Sequence, residues 1–555
     1  MNDQPDAPAD ASGAMTSQSK ASQSEAGKSE ASKSDTCQSE TRAFLRGLAA
    51  QAHETAEPAL THISRVYFAG ARAFKLKRAV RTPYLDFTRL ETRCEACARE
   101  VELNRRTAPD LYRGVRRITR EAGGLAFDGA GPLVDCVVEM ERFDEDALFD
   151  RLAQRGALTP AMMDALAARI AALHAQAAVA QDPPSLAPVL AMNRAALQET
   201  FLRDAPDAAE TLARMDAAFA QARPLLARRA QAGKARRCHG DLTLRNIVLI
   251  AGAPTPFDCL EFDEKLATID VLYDLAFTLM DLARLRLDAL ANALLNRYLD
   301  RADETDGLAL LPLFIAMRAL VRAHVAARIA QESSPQESAQ ENAAQENAQE
   351  NAAQKNAAEA RAYLATAARA LTCEGRARPR LIAAGGLSGS GKSTLAAALA
   401  PLMAPLPGAR VLSSDRIRKA LFGVAATQRL PKEAYAPDVS ARVYALMGER
   451  AAACLRAGWS VVADAVFDRA QDRAAIAQIA REAGAQVTGV WLAAPQEVLE
   501  ARVGARVNDP SDADLAILAA QAERLAQTGA PDDWRRLDAR APAAENARAL
   551  LSLSA

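Results

Sequence analysis

The sequence predicts a multidomain protein in which an α+β domain precedes an α/β domain with a parallel, doubly wound sheet. Its 555 residues exceed the roughly 250–300 at which a single hydrophobic core stops growing. In the first part of the chain, strand-like runs come early and long helical runs come late, which is the α+β order. In the second part, apolar strands alternate with helical segments, which is typical of a parallel sheet.

Two tracts that lack large apolar side chains divide the chain. Residues 1–40 repeat Ser, Ala, Gln, Glu and Lys, and we predict a disordered tail because this composition cannot bury enough surface to offset its ordering entropy. Residues 331–356 repeat a Gln-Glu-Asn-Ala unit, which predicts a spacer, with a transient helix as the alternative. We therefore assign 41–330 to the first domain, 357–374 to a connecting helix and 375–555 to the second domain.

Composition limits the partners. Lys and Arg total 68 against 69 Asp and Glu, a net charge of −1, so no overall field attracts nucleic acid or an anionic membrane. The first residues lack the basic and apolar runs of a signal peptide, and no later run reaches the roughly 18 apolar residues of a membrane span. Eight cysteines with one CxxC pair, Cys94 and Cys97, are typical of a reducing compartment. We predict a cytoplasmic protein in which this pair forms helix thiols.

Individual elements can be placed from the pattern of apolar residues. In the first domain, two strands flank Gly70, and the remaining elements are a helix at 90–106, a strand at 134–143 and helices at 160–180 and 207–232. In the second domain, strands are predicted at 381–386, 409–415, 459–467 and 486–492.

The motif GLSGSGKS at 386–393 follows a strand and opens a helix, the context that a phosphate-binding loop requires. Its glycines let backbone N–H groups converge on a polyphosphate, Lys392 supplies charge to the β and γ phosphates, and Ser393 is a Mg²⁺ ligand. A chance glycine loop before a helix is the alternative. The predicted ATP-binding residues are Gly386, Ser388, Gly389, Ser390, Gly391, Lys392, Ser393 and Thr394.

Further candidates follow the other strands of this domain. Asp415 and Arg418 come at the carboxyl end of the second strand, where Asp415 could deprotonate an acceptor hydroxyl and Arg418 could hold a substrate. Asp464 ends the third strand, where a carboxylate would meet Mg²⁺. Arg502 and Arg506 share one helical face and could close on the phosphates. Helix or strand caps and solvated arginines are the respective alternatives.

Together these motifs resemble the small P-loop kinases related to gluconate kinase, zeta toxins and polynucleotide kinase. The resemblance covers 380–525. It implies that Asp415 is the base and that Arg502 and Arg506 belong to a lid. It does not name the acceptor.

In the first domain, HGDLTLRN at 239–246 places Asp241 and Asn246 at the spacing of a kinase catalytic loop, H-R-D-x-x-x-x-N. Such a loop needs a carboxylate to accept the hydroxyl proton and an amide oxygen to bind Mg²⁺. Asp258 follows twelve residues beyond Asn246, where a kinase carries its second metal-binding aspartate. Accidental polar residues in a loop are the alternative.

This pattern resembles the aminoglycoside phosphotransferase-like kinases over about 60–330, and it implies a bilobed, protein-kinase-like α+β fold. The resemblance further implies that Lys75 binds the α and β phosphates with Glu100 as its partner, although Lys77 is an equally charged neighbour. It also implies a hinge against adenine at 139–143 and a bracing role for Asp270 or Asp274. His174 and His239 are interpreted as structural residues. A G-x-G-x-x-G loop is lacking between 60 and 75.

The preferred interpretation is a fused, bifunctional ATP- and Mg²⁺-dependent kinase with two nucleotide sites that phosphorylates hydroxyl groups of small molecules. The two-part organisation resembles a family of bacterial fusion proteins of unassigned substrate. One alternative makes one half, more readily the N-terminal one, a nucleotide-binding regulator of the other. A polynucleotide 5′-hydroxyl kinase is a second alternative, which the neutral net charge does not favour. The oligomeric state stays open.

Overall fold

The computed structural model describes residues 38–55, 57–61, 63–82, 85–333, 343–372, 378–506 and 510–552. By compactness the described chain forms two units. The first contains residues 38–144 with Asp258–Glu264, and the second contains Glu145–Phe257 with residues 265–552. Each unit has its own hydrophobic core.

The first unit is built on a six-stranded antiparallel sheet of order β1-β2-β3-β8-β6-β7. The predicted hairpin is confirmed as β2 and β3, and Gly70 between them has a φ of +61°. The elements are α1 (Ser39–Gln51), β1 (Ala59–Leu60), β2 (Ser64–Ala69), β3 (Arg72–Lys77), β4 (Arg81–Thr82), β5 (Leu85–Asp86), α2 (Leu90–Asn104), β6 (Tyr112–Glu121), β7 (Gly124–Phe127) and β8 (Leu133–Glu141).

The folded part begins earlier than the predicted tail 1–40 allows. Gln38 is buried, and its side-chain nitrogen donates to Lys77 O and Asp135 Oδ2 at 2.9 and 2.8 Å. Helix α1 then starts at Ser39. The predicted tail is therefore wrong for residues 38–40, because the buried side-chain amide of Gln38 ties them to the sheet. Residues 1–37 of the predicted tail lie outside the described part.

The prediction for the CxxC pair is half wrong. Cys94 on α2 forms a disulfide with Cys136 on β8, 42 residues away in sequence. Cys97 keeps its thiol, which is buried, and burial raises its pKa to about 12. The sequence pattern of one helix carries no signal for a partner on a distant strand.

The second unit begins with helices and short strands, and the predicted helices at 160–180 and 207–232 are confirmed as α4 and α6. Helix α8 is buried on all sides except at its last residue. Its polar side chains bind loop backbone instead of water. The elements are α3 (Phe149–Gln154), α4 (Pro160–Gln176), α5 (Ala187–Gln198), α6 (Ala208–Gln231), β9 (Ala235–Arg237), β10 (Ile247–Ile250), β11 (Ala253–Pro256), α7 (Glu264–Ala267), β12 (Thr268–Asp270), α8 (Val271–Arg284), α9 (Asp288–Leu299) and α10 (Leu311–Glu332).

Part of the predicted spacer 331–356 is a helix. Helix α11 (Ala343–Leu371) includes residues 343–356 and continues through the predicted connecting helix, and residues 334–342 lie outside the described part. It packs along α10. For residues 343–356 the preferred spacer prediction is therefore wrong and the helix alternative holds, because this segment buries alanine, as at Ala353, instead of large apolar side chains.

The second unit also contains a five-stranded sheet of order β14-β15-β13-β16-β17, in which every pair is parallel. The predicted fold class is confirmed, and so are its four predicted strands; β17 was not predicted. The register places Asp464 opposite Ala384 and Ser413, so the strand ends meet at one edge. The elements are β13 (Arg380–Gly385), α12 (Lys392–Leu399), β14 (Arg410–Ser413), α13 (Ser414–Leu421), α14 (Pro437–Arg456), β15 (Val461–Asp464), α15 (Ala470–Glu482), β16 (Gln486–Ala493), α16 (Gln496–Gly504), α17 (Leu515–Thr528), β17 (Arg535–Asp538) and α18 (Ala543–Ser552).

Within the described ranges, one helical stretch is long and apolar enough to cross a membrane by length and composition. It runs over Thr305–Glu332, and 72% of its most apolar window is buried inside the protein. Such burial is that of a core helix.

Candidate active sites

The loop after β13 has the backbone geometry of a phosphate cradle. Gly386, Gly389 and Gly391 have φ values of +142°, +82° and +87°. A Cβ on Gly386 would lie 2.6 Å from Leu492 O, and one on Gly389 would lie 2.7 Å from Leu499 O. Only glycine therefore fits these two positions.

The helix that follows this loop presents the predicted phosphate and cation ligands. Lys392 Nζ donates to Leu387 O at 3.0 Å, and Ser393 Oγ donates to Asp464 Oδ2 at 2.7 Å. A hydroxyl and a carboxylate side by side match the oxygen ligands that Mg²⁺ takes. Ser390 Oγ is buried without a hydrogen-bond partner among the described residues, as expected where a ligand would bind. These groups fit a Mg²⁺-bound nucleotide.

One contact to the loop was missed by sequence reasoning. The side-chain oxygen of Gln521, on α17, accepts a hydrogen bond from the backbone N–H of Ser388 at 2.9 Å. A glutamine in a polar helix face gives no sequence signal for such a role. This contact fixes one backbone N–H group of the phosphate loop from helix α17.

Asp415 lies in the first turn of α13, directly after β14, among the predicted cationic residues. Burial raises its pKa above the ordinary value, and this effect outweighs the lowering by a hydrogen bond from Ser511 and by nearby Lys392, Arg418 and Arg506. A carboxylate with a raised pKa is a better proton acceptor than an ordinary aspartate. The structure thus brings the predicted base next to the predicted phosphate lysine.

Arg418 is largely occupied by contacts within the protein. Its guanidinium donates to Ala434 O at 2.6 Å and to Ser440 Oγ at 3.3 Å, and it lies 4.8 Å from the ring centroid of Tyr435. These contacts hold the segment between α13 and α14 against the strand end. Its side chain still lines the cleft, so the predicted role in holding substrate stays a prediction.

The two predicted lid arginines both line the same cleft. Arg502 donates to Gly389 O at 3.4 Å and to Ala539 O at 3.0 Å, so it reaches the phosphate loop directly. Arg506 lies close enough to Asp415 to lower its pKa. Both therefore lie next to the nucleotide loop or the base, but the predicted shared helical face is wrong because α16 ends at Gly504, before Arg506.

Asp512 ties the lid segment down and was not singled out from the sequence. It accepts hydrogen bonds from Lys419 Nζ at 2.7 Å, from Leu430 N at 2.9 Å and from Tyr435 Oη at 2.7 Å. Burial would raise its pKa, but Lys419 and Tyr435 lower it below the ordinary value. The sequence DPSDA does not indicate that Asp512 is a latch, meaning a side chain that holds the lid segment in place by accepting these three hydrogen bonds.

One cleft of about 1220 Å³ is lined by Lys392, Ser393, Asp415, Asp464 and the two lid arginines. Besides the phosphate loop and the lid, the cleft is lined by side chains from the helical part that precedes α11. These are Pro160, Ala161 and Asp164 on α4, and Ala289, Asn292, Ala293, Asn296 and Arg297 on α9.

In the first unit, Lys75 on β3 lies between two predicted partners. Its Nζ donates to Glu100 Oε1 at 2.7 Å and to Asp258. Burial would lower its pKa, but Asp258 and Glu100 raise it well above the ordinary value. The neighbouring Lys77 contacts Glu100 Oε2 at 2.5 Å and also Glu261. Of the two lysines, Lys75 is the one that touches the predicted metal-binding aspartate.

The HGD loop lies in the second unit. Asn246 Nδ2 donates to Asp241 Oδ2 and to Asp241 O, both at 2.8 Å. These bonds use the amide nitrogen of Asn246 and not the oxygen assigned to Mg²⁺. His239 Nε2 donates to Phe257 O at 2.9 Å, which confirms its structural interpretation. The structure brings the predicted base and metal residue together on one turn.

Asp274 on α8 braces this loop, as the resemblance implied. Its carboxylate accepts from His239 N at 3.1 Å, from Gly240 N at 2.8 Å and from His174 Nε2 at 3.1 Å. Tyr298 Oη then donates to His174 Nδ1 at 2.9 Å. Burial would raise the pKa of Asp274, but the hydrogen bond from His174 lowers it to about 2. Asp270 instead caps α8 and pairs with Arg229.

Two protein-family models match the chain. The model described as "Phosphotransferase enzyme family" matches residues 95–311, and the model described as "AAA domain" matches residues 381–528. The first match contains the HGD loop and the second contains the phosphate loop.

Similarity to known proteins extends over most of the chain. "Uncharacterized protein Rv2004c" of Mycobacterium tuberculosis is 31% identical over 494 residues, which cover 87% of this chain and 92% of that protein. Among solved structures, a gluconokinase of Sinorhizobium meliloti 1021 is 24% identical with a TM-score of 0.24, covering 32% of this chain and 92% of that one. A choline/ethanolamine kinase family protein of Mesorhizobium loti is 15% identical with a TM-score of 0.34, covering 60% and 99%.

Proposed function

Because the chain belongs to a family of bacterial proteins that join a phosphotransferase-family domain to an AAA-type P-loop domain, we propose that it is a kinase with two ATP sites. Each site transfers the γ-phosphoryl group of ATP to a hydroxyl group of a small molecule. The observation that carries the proposal is the single cleft that holds Lys392, the Ser393–Asp464 pair and Asp415. We also propose that the protein acts in the cytoplasm, where ATP is supplied.

In the P-loop half, each residue has a defined task. Lys392 and the loop N–H groups bind the β and γ phosphates. Ser393 and Asp464 would hold Mg²⁺, which when bound neutralises phosphate charge. Asp415 takes the proton of the acceptor hydroxyl as that oxygen bonds to the γ-phosphorus and the bond to the β-phosphate oxygen breaks, so ADP leaves.

In the same half, Arg502 and Arg506 stabilise the charge that spreads over the transferring phosphoryl group. Arg502 already contacts a carbonyl of the phosphate loop, so only a short movement is needed. The latch at Asp512 keeps the lid segment close to this position. Water is thereby excluded from the transferring group.

In the kinase-like half, each residue predicted from the sequence has a task. Lys75, with Glu100, binds the α and β phosphates, and Asp258 and Asn246 are each proposed as a Mg²⁺ ligand. Asp241 accepts the acceptor proton. The brace at Asp274 keeps the backbone of the catalytic loop in place for this step. The strand end at 139–143 is the proposed adenine hinge.

A regulatory role for the kinase-like half is the second candidate. The observation that favours it is the contact between α9 and β14, where Asn296 Oδ1 accepts from Val411 N at 2.7 Å, two residues from the strand end that leads to Asp415. A nucleotide-dependent shift of α9 would therefore reach the P-loop half. This alternative keeps one active kinase site and not two.

Transfer of labelled γ-phosphate from ATP to a metabolite extract tests the proposal on the full-length chain. The variants are Asp241→Asn, Asp415→Asn and the double variant, with Asp182→Asn, an exposed residue away from both sites, as the control. We expect each single variant to remove a different set of labelled products and the double variant to remove all of them. Loss of every product in one single variant would favour the regulatory alternative, and full activity in the double variant would refute the proposal.

A further inference from the structure

The P-loop domain uses a helix of the other half to cover one edge of its sheet. Strand β14 is an edge strand. Asn292 and Asn296 on α9 donate to Ala409 O at 3.0 and 3.2 Å, and Asn296 Oδ1 accepts from Val411 N. These side chains occupy backbone groups that a sixth strand would use. Helix α9 is therefore fixed against the strand that leads to Asp415.

A group of charged side chains extends this contact into the cleft. Asp300 lies 2.7 Å from Arg410, 3.2 Å from Arg297 and 3.5 Å from Arg416. One carboxylate is thus shared by three guanidinium groups. A second pair, Asp164 with Arg301 at 2.9 Å, adds no net charge.

The charge of this group is not balanced by its own members. Three arginines face the single carboxylate of Asp300, which leaves a net charge of +2. The side chains of Arg297 and Arg416 are only 13% and 21% exposed. Partly buried charge without a counterion is costly, so such a place favours the binding of an anion.

Two of these arginines line the cleft. They are Arg297 and Arg416, and they line it together with Asp415, whereas the buried Arg410 does not. Among the described residues, Asp300 Oδ2, the atom that both arginines approach, accepts no hydrogen bond of good geometry. Burial, with the nearby Arg410 and Arg301, lowers the pKa of Arg297 in spite of Asp300 and Asp164. Arg297 and Arg416 thus pair with Asp300 by charge, without a hydrogen bond of good geometry to Asp300 Oδ2.

We infer that Arg297 and Arg416 form a subsite for an anionic group, a carboxylate or a phosphate, on the molecule that the P-loop half phosphorylates. Guanidinium groups bind both anions in bidentate fashion. The acceptor site would then be built from both halves of the chain, with Asp415 at the reacting hydroxyl and the wall of α9 at the anion. That the bound molecule is the phosphate acceptor rests on the proposed function, whereas the anion subsite can be tested without any phosphate transfer.

Matched three-carbon probes test the subsite on the full-length chain saturated with Mg²⁺ and a non-hydrolysable ATP analogue, which occupies the phosphate loop. Binding of glycerol, glycerate and glycerol 3-phosphate is measured by ligand-detected NMR. The variants are Arg297→Gln and Arg416→Gln, and the control is Arg540→Gln, which removes an arginine from the same cleft but not from this wall. Thermal unfolding shows whether each variant is folded.

We expect at least one anionic probe to bind the unaltered chain and to bind roughly tenfold more weakly to both wall variants, since each removes a charge-assisted contact. Glycerol should be unaffected, and Arg540→Gln should bind like the unaltered chain. The two anions distinguish a carboxylate subsite from a phosphate subsite.

Failure of both anions to bind, or equal weakening by Arg540→Gln, would overturn the inference. Unchanged binding in a folded Arg297→Gln variant would do the same, because the arginines would then only join the two halves. Labelled phosphate transfer is measured separately on the same variants. An intact anion subsite in a chain that transfers no phosphate would count against the proposed function alone.

Discussion

Lys75 and Lys392 are both assigned to ATP, but their surroundings differ. Lys75 is buried in the first unit between the carboxylates of Glu100 and Asp258, with the second pair of Lys77 and Glu261 beside them. Lys392 follows a loop with left-handed glycines and donates to the backbone carbonyl of Leu387. The kinase-like lysine is positioned by charged side chains, whereas the P-loop lysine is positioned by backbone geometry.

The difference shows which interactions hold each site in place. These are ion pairs between side chains in the kinase-like half and backbone geometry in the P-loop half. In the kinase-like half, removing one lysine leaves an excess of negative charge among buried carboxylates, so site and fold share the same interactions. In the P-loop half, the cradle is made by backbone N–H groups, and Lys392 donates to a carbonyl of the same loop. The same substitution should therefore have different consequences in the two halves.

The largest expected effect is on stability, and it tests this comparison directly. Lys75→Met should lower the free energy of unfolding by roughly 3–5 kcal/mol, because the single charge of Lys77 then faces the carboxylates of Glu100, Glu261 and Asp258. Lys392→Met should lower it by less than about 1 kcal/mol while abolishing nucleotide binding to the P-loop half. Urea unfolding and titration with a fluorescent ATP analogue measure both. Equal stability losses would break the comparison.

A second test concerns the brace of the catalytic loop. Asp274→Asn places an amide where the carboxylate accepts from three N–H groups, so we expect a loss of roughly 2–4 kcal/mol and of transfer by the kinase-like half only. Because the pKa of Asp274 is about 2 in the folded chain, its contribution is present above the unfolded value of about 4 and is lost as pH falls toward 2. Urea unfolding at several pH values measures this, with Asp182→Asn as control. Loss of P-loop transfer as well would show that the two halves depend on each other.

The smallest expected effect sharpens the role of Asp415. Ser511 lowers the pKa of Asp415 by a hydrogen bond, so Ser511→Ala should raise that pKa further. The base is then protonated at a higher pH, and the acid limb of kcat/KM should move upward by a fraction of a unit to about one unit. The pH profile is measured with an acceptor from the metabolite screen and compared with that of the exposed Ser552→Ala. An unmoved limb would argue against Asp415 as the titrating base.

Sequence reasoning succeeded where chemistry requires residues at a fixed local spacing. The phosphate loop, the HGD loop and four strands of the parallel sheet were all readable because each depends on a short segment. Lys75 could be preferred over Lys77 only by resemblance, since the contact that separates them comes from Asp258, far along the chain. Local pattern therefore identifies candidates but not their partners.

Three of the misses share one physical cause, which is that a partner lies far away in sequence. Cys136 closes the disulfide of Cys94, Gln521 holds Ser388, and Asp512 latches Lys419, and none of these pairs has a periodic signal. A different cause applies to residues 343–356 of α11, which were predicted as a spacer for lack of large apolar side chains, although alanine is the best helix former. Long-range contacts of single polar side chains have to be observed.

The covered edge of β14 has a practical consequence for dissecting the chain. A fragment cut at residue 375 would keep the phosphate loop but lose α9, exposing the backbone groups that Asn292 and Asn296 occupy. A bare, unprotected strand invites pairing with another copy and hence aggregation. Poor solubility of such a fragment would then reflect the loss of helix α9, which covers the edge strand β14, and not an unstable P-loop domain. Fragments that retain Glu145–Phe257 and residues 265–552 follow the boundary of the compact unit instead.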